Sequence, residues 1–131
     1  MPPMKMNHDV DPAEEIKNSV GDLAKNFQLF NNQILVGIYI RPQKTKSGII
    51  LTDKYVDEDR YQGKVGLVLK AGPLAFKDDK SEWFKDVNVS EGDWVVFRPS
   101  DGWAISIEGQ PCRILEDYAV KARVSQPDYV W

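Results

Sequence analysis

Beyond residue 33 the apolar residues of this chain come in short runs, ILVGIYI (34–40), VGLVL (65–69) and WVVF (94–97), each bounded by Pro, Gly or charge. Branched and aromatic side chains of this kind suit a pleated, half-buried surface. Arg41-Pro42 cannot continue a central strand, because proline has no amide hydrogen to give to the ladder. Gly92-Asp93 introduces the third run, and Asp101-Gly102 and Glu108-Gly109 mark turns with short strands between them. Residues 116–124 set Tyr118, Val120, Ala122 and Val124 alternately against polar partners, which predicts a closing strand. Several short strands at such spacing predict a mostly β fold, a small barrel that is closed or nearly so.

The first 32 residues are of another kind. Residues 1–10 hold two prolines and three methionines without periodicity and read as a flexible arm. A helix is predicted to follow. Asp11 suits the N-cap, Pro12 the first helical position, and Glu14 and Glu15 the positive end of the helix dipole, with Asp11 and Glu14 at capping-box spacing. Ile16, Val20, Leu23 and Phe27 then form one apolar stripe. Gly21 weakens the helix by about 1 kcal/mol relative to Ala. A helix this short is marginal alone in water, so it is expected to dock, either on its own barrel or on a neighbour. The chain thus divides into an arm with an amphipathic helix (1–32), a barrel (33–124) and a tail (125–131). The tail ends in Tyr129, Val130 and Trp131, which read equally as an anchor for a partner and as a segment packed back on the parent domain.

Composition removes several functional classes. The net charge of the 131 residues is −3, and no basic stripe marks a nucleic-acid surface. The apolar runs are far too short to span a membrane, and the N-terminus lacks the basic start and apolar core of a signal peptide. Cys112 is the single cysteine, so no internal disulfide forms, in keeping with a reducing, cytoplasmic setting. One Cys and one His distant in sequence make no recognisable metal set. His8, the only histidine, lies in the arm and is poorly placed to serve as a catalytic base. Cys112 sits in a strand-like stretch and reads as a small buried hydrophobe. Asp57-Glu58-Asp59 and Asp78-Asp79 read as solvated loop charges, and no Gly-rich loop leads from a strand into a helix to cradle a phosphate. The expectation is a binding protein without catalytic residues, cofactor or metal.

An ordered series of segments carries a family resemblance over about residues 33–124. The strand ILVGIYI leads into KTKSGIILTD (44–53), which resembles the mobile loop of the GroES family: a Lys-Thr or Lys-Ser stretch, a glycine, then Ile-Ile-Leu or Ile-Val-Leu. YQGKVGLVLKAGP (61–73) is similar to that family's GKVVAVGPG segment, and VSEGDWVVFRPSDGWAI (89–105) to its VKVGDxVxF strand and aromatic turn. IEGQPCRILEDYAVKARV (107–124) is similar to its closing strand. The segment between, residues 73–89, stands where the family has its roof hairpin. It is heavier in aromatics than a simple hairpin needs, with Phe76, Trp83 and Phe84.

The resemblance implies a co-chaperonin that caps a chaperonin ring through Gly48, Ile49, Ile50 and Leu51 and so assists ATP-dependent folding. The nucleotide would be bound by the chaperonin. It also implies a ring-shaped homo-oligomer, a heptamer, in which the first strand of one subunit pairs with the last strand of its neighbour; here these are residues 34–40, with Ile34, Val36 and Ile38, and residues 118–124, with Tyr118, Val120 and Ala122. Phe76, Trp83, Trp103 and Trp131 are candidate roof or assembly contacts. The residues themselves agree with a docking tripeptide. Consecutive side chains on an extended segment face opposite ways, and a barrel wall buries one side only, so at least one of Ile49, Ile50 and Leu51 would be left exposed. Burying such a side chain on a partner contributes about 1.5–3 kcal/mol, and repetition around a ring turns weak sites into avidity. On periodicity alone the tripeptide reads equally as one more core strand. The N-terminal helix and aromatic tail depart from the family pattern and leave a second reading open: a virion structural protein that uses the same barrel to assemble with capsid proteins.

Overall fold

The computed structural model describes residues 11–40, 63–77 and 89–127. Helix α1 spans Pro12–Val20 and passes into a 3-10 turn over Gly21–Asn26. The strands are β1 (Gln33–Ile38), β2 (Val65–Ala71), β3 (Trp94–Val96), β4 (Trp103–Ile107), β5 (Gln110–Glu116) and β6 (Ala122–Val124), with a second 3-10 turn over Asp117–Ala119. They form one six-stranded antiparallel sheet in the order β4-β5-β1-β2-β3-β6. This is a mostly β chain consistent with a GroES-like barrel, plus one helix.

β1 is central, and all of Ile34, Leu35, Val36, Gly37 and Ile38 are buried. A run buried on both faces needs both faces covered. One face, carrying Ile34, Val36 and Ile38, packs with Val68, Val95, Phe97 and Leu115. The other is covered by α1, whose Ile16 joins Tyr39, Val65, Leu67 and Trp94 while Val20 joins Leu29, Leu35, Ile107 and Cys112. The predicted docking of the helix is therefore onto its own sheet. Gly37 makes the fit possible. A Cβ there would stand 2.5 Å from Ile16 Cγ2, so the bare backbone is the seat for the isoleucine.

The helix starts as the sequence predicts, with Pro12 in its first turn, but Asp11 makes no side-chain capping bond, so the expected capping box does not form. It also stops earlier than the four-residue stripe suggests. Gly21 takes φ 55°, ψ −140°, a backbone open to glycine at little cost, and its N–H turns back to Lys17 O. Phe27 is half-buried against the α1-side core, and Leu23 lies among the residues whose side chains are not described.

Two expectations about strand edges are corrected. The first is the neighbour pairing of residues 34–40. β1 is hydrogen-bonded on one side to β2 (Ile38 opposite Gly66) and on the other to β5 (Gly37 opposite Cys112), so it offers no free edge to another subunit. Within the single chain Ile34, Val36 and Ile38 are core residues at 0–1% exposure. The sheet edges are β4 and β6 instead. The second is the continuous strand expected over 118–124. Asp117–Ala119 is a 3-10 turn, and only Ala122–Val124 pairs, with β3. The alternation was real but described a turn. Tyr118 is exposed, Ala119 is buried, Val120 packs half-buried on the core, and Ala122 is exposed.

Candidate functional site

Residues 41–62 connect two antiparallel neighbours, β1 and β2, and the base of this connection is well defined. Tyr39 N–H donates to Val65 O at 3.1 Å, extending the ladder beyond the last strand residues. The Tyr39 ring, 2% exposed, meets Trp94 edge-on with centroids 5.8 Å apart, beneath Ile16 of α1. Edge-to-face packing adds about 0.5–1.5 kcal/mol beyond buried area. Residues 41–62 thus leave from and return to adjacent positions on a clamped platform. Gly48, Ile49, Ile50 and Leu51 fall among them, outside the described residues, as do Trp83 and Trp131.

The remaining site candidates are placed. Trp103 lies on edge strand β4, 78% exposed. Phe76 is half-buried against the inner core in the left-handed region (φ 57°), and its N–H donates to Asp117 Oδ2 at 3.0 Å. It takes part in the domain's own packing. Tyr118, at 65% exposure, stands near the same knot of turns as the exposed Leu74 and Phe30.

Sequence reasoning missed two buried charges. Asp117, 3% exposed, accepts from Asn32 Nδ2 (2.9 Å) and from the Phe76 amide, while its own N–H donates to Asn32 O (3.1 Å). It ties the turns at 31–32, 73–76 and 117–119 together. Arg113, 6% exposed, donates through Nη1 to Pro99 O and to Asp101 O (3.1 Å), and its guanidinium carbon lies 5.8 Å from the Phe97 ring centroid. Burial pulls the Arg113 pKa below its ordinary value, with the Asp101 charge acting the other way. The available signal was a charge inside an apolar run, Cys112-Arg113-Ile114-Leu115. Arg113 fixes the turn that leads to Trp103. Asp101 in that turn also pairs with Arg98 (3.1 Å), whose hydrogen bond holds the Asp101 carboxyl below its usual range.

Among the described residues no three His, Cys, Asp or Glu side chains are grouped to hold a metal, and no helix is long and apolar enough to cross a membrane. Cys112 is 1% exposed, and burial pushes its thiol up to about 11. In the unfolded chain the thiol ionises near its ordinary 9.0, so the proton it keeps when folded favours the native state below that pH, and this contribution is lost as pH rises through about 11. The wild-type protein should therefore lose stability relative to Cys112→Ala between pH 9 and 11 in paired urea titrations. At pH 8 its thiol should react with Ellman's reagent only on unfolding.

The chain was compared with known proteins. The family model described as "Chaperonin 10 Kd subunit" matches residues 26–124. No individual curated protein matches the chain.

Proposed function

The chain belongs to the chaperonin 10 kDa subunit family, and from that premise we propose that it is a co-chaperonin whose residues 48–51 dock on a chaperonin ring and help close a chamber for ATP-dependent folding. The family match carries this reading, since that family implies a chaperonin partner and a ring-shaped oligomer. The clamped base at Tyr39 and Val65 supports it, because a peptide that must engage a partner repeatedly gains from a fixed point of departure. Ile49, Ile50 and Leu51 supply the apolar anchors, and Gly48 frees the backbone before them. The protein brings no catalytic group to this task, and the nucleotide is the chaperonin's. Seven copies would place the docking segments around a ring, where the weak energy of each is multiplied.

Purified protein should co-purify with a chaperonin ring in the presence of ATP and alter its ATPase rate. Ile50→Asp removes one apolar anchor worth about 1.5–3 kcal/mol and should weaken the interaction at least tenfold per copy. Wild-type protein that neither binds the ring nor changes its ATPase would remove the proposal. Native mass measurement reports the assembly, and a heptamer weighs about seven times the 14.9 kDa subunit.

A further inference from the structure

The sheet has two outer strands, and they differ. β6 is three residues long, carries Arg123 and follows Lys121. Shortness and charge are devices that keep an edge from pairing. β4 has neither. Its five residues, Trp103-Ala104-Ile105-Ser106-Ile107, include no charge and no proline, and they pair with β5 in unbroken register. Among the described residues no strand is bonded to its outer side. One row of its side chains is apolar. Ile107 is buried in the α1-side core, Ile105 packs half-buried against it, and Trp103 at the end of the row is 78% exposed.

The hairpin turn decides which backbone groups face outward. Glu108 and Gly109, at φ 50° and 80°, form a two-residue turn closed by Ile107 and Gln110. The closing pair exchanges hydrogen bonds, and bonded and non-bonded pairs alternate from there. Trp103, Ile105 and Ile107 therefore direct their N–H and C=O groups at β5, and Ala104 and Ser106 turn theirs outward.

We propose that β4 pairs antiparallel with β4 of a second copy of this chain, about a two-fold axis at Ile105. Centring on Ile105 pairs the whole of each strand. Ala104 then exchanges both its hydrogen bonds with Ser106 of the second copy, and the symmetric pair does the same, so every outward group of both residues is used. Ile105 meets its own counterpart in a close, non-hydrogen-bonded pair, and Trp103 falls opposite Ile107 of the second copy. The apolar row of one subunit thus continues into that of the other. The charges also agree with this occupant. No like charges face each other within the strands, and Glu108 lies opposite Gly102 of the second copy, in the turn that carries Arg98. The contact is isologous and closes on itself, so it joins two copies or two rings of copies, and it does not depend on the co-chaperonin reading.

The test uses the full chain without any chaperonin, so its failure leaves the co-chaperonin reading standing. Cys112 is the single cysteine and lies opposite Ile105 on β5, so the background is Cys112→Ala. In it, Ile105→Cys brings two thiols together on the axis, with Cα atoms about 4.5 Å apart, within disulfide reach. Mild oxidation should give a two-chain band on a denaturing, non-reducing gel. Ala104→Cys in the same background is the control. Its two copies lie diagonally, more than about 7 Å apart, and should stay largely unlinked. Separately, the native mass of the wild-type protein should double as concentration rises. Ser106→Pro removes an outward N–H that the hairpin does not use, and should raise the concentration of that doubling at least about tenfold with an unchanged far-UV circular dichroism spectrum. No link through Ile105→Cys, equal linkage at 104 and 105, no doubling of the wild-type mass, or doubling unaltered by Ser106→Pro each overturns the proposal. So does capture of the Ile105→Cys thiol by a different polypeptide in cell extract while the purified protein stays unlinked, which gives the edge to another partner.

Discussion

Asp117→Ala should lower the unfolding free energy by about 3–5 kcal/mol and the Tm by about 10–20 °C. The carboxylate is almost wholly removed from water and accepts two hydrogen bonds, from Asn32 Nδ2 and the Phe76 amide. Hydrogen bonds to a charged group contribute about 1.5–3 kcal/mol each, and truncation leaves both donors facing a void. A second cost follows. Asn31 and Phe76 both hold positive φ, 55° and 57°; asparagine tolerates this region, but an aromatic residue such as Phe76 adopts it only when neighbours fix it there. With Asp117 gone, the turns that contain them lose a common tether. Asp117→Asn should cost far less, about 1 kcal/mol, because the Asn32 amide can turn over and offer its oxygen to the new NH₂ while the new carbonyl still receives the Phe76 amide. Urea titration of the three proteins gives the ranking. Hydrogen exchange should show residues 31–32, 73–76 and 117–120 losing protection as a unit in the alanine variant. If the alanine and asparagine proteins are equally stable, the carboxylate is not the tether.

That residue also shows what the sequence could and could not convey. The runs at 34–40, 65–69 and 94–97 were readable because each is apolar, branched and bounded by breakers, and all three contain strands of the sheet. Residues 116–124 carried an equally clear alternation, yet Asp117 is drawn inward by donors 41 and 85 residues away, and the chain turns before it pairs. A pattern of period two records which side chains are apolar, not where distant donors lie. Strand order is hidden for the same reason. Nothing in ILVGIYI says that β5 occupies one of its edges and β2 the other, and so the expected pairing with a neighbouring subunit fell on a strand with no edge to give. The unbroken apolar character of that run was the one hint, since a strand exposed on one face would alternate. The tripeptide at 49–51 was legible as a chemical oddity among charged residues, and the family match supports the co-chaperonin role of the chain as a whole.

Gly37→Ala should release α1 from the sheet. The added methyl carbon would stand 2.5 Å from Ile16 Cγ2 and 3.4 Å from Leu69 Cδ1. The first distance is one that real side chains do not tolerate, and Ile16 has little room to answer, because a β-branched residue in a helix is confined to essentially one χ1 well. The strand cannot yield either, since β1 is bonded on both edges. The helix is the weaker partner and should lift. Ile16 and Val20, 5% and 2% exposed, are the side chains that undocking would return to water, each at about 1.5–3 kcal/mol, so the loss approaches about 3–6 kcal/mol if both go. The sheet's inner core, built from Ile34, Val36, Val68, Val95, Phe97 and Leu115, is untouched. The expected signature is therefore local: amides of residues 12–26 exchange quickly while those of β1, β2 and β5 stay protected, alongside a reduced urea midpoint. A double-mutant cycle with Ile16→Ala separates this clash from any general effect on β1. Once the isoleucine methyls are gone the alanine at 37 has space, so the second substitution should cost much less than it does in the wild type, a coupling of at least about 1 kcal/mol between contacting positions. Simple additivity of the two changes would mean that Gly37 is not the seat of Ile16, and that the helix is held by something other than the fit described.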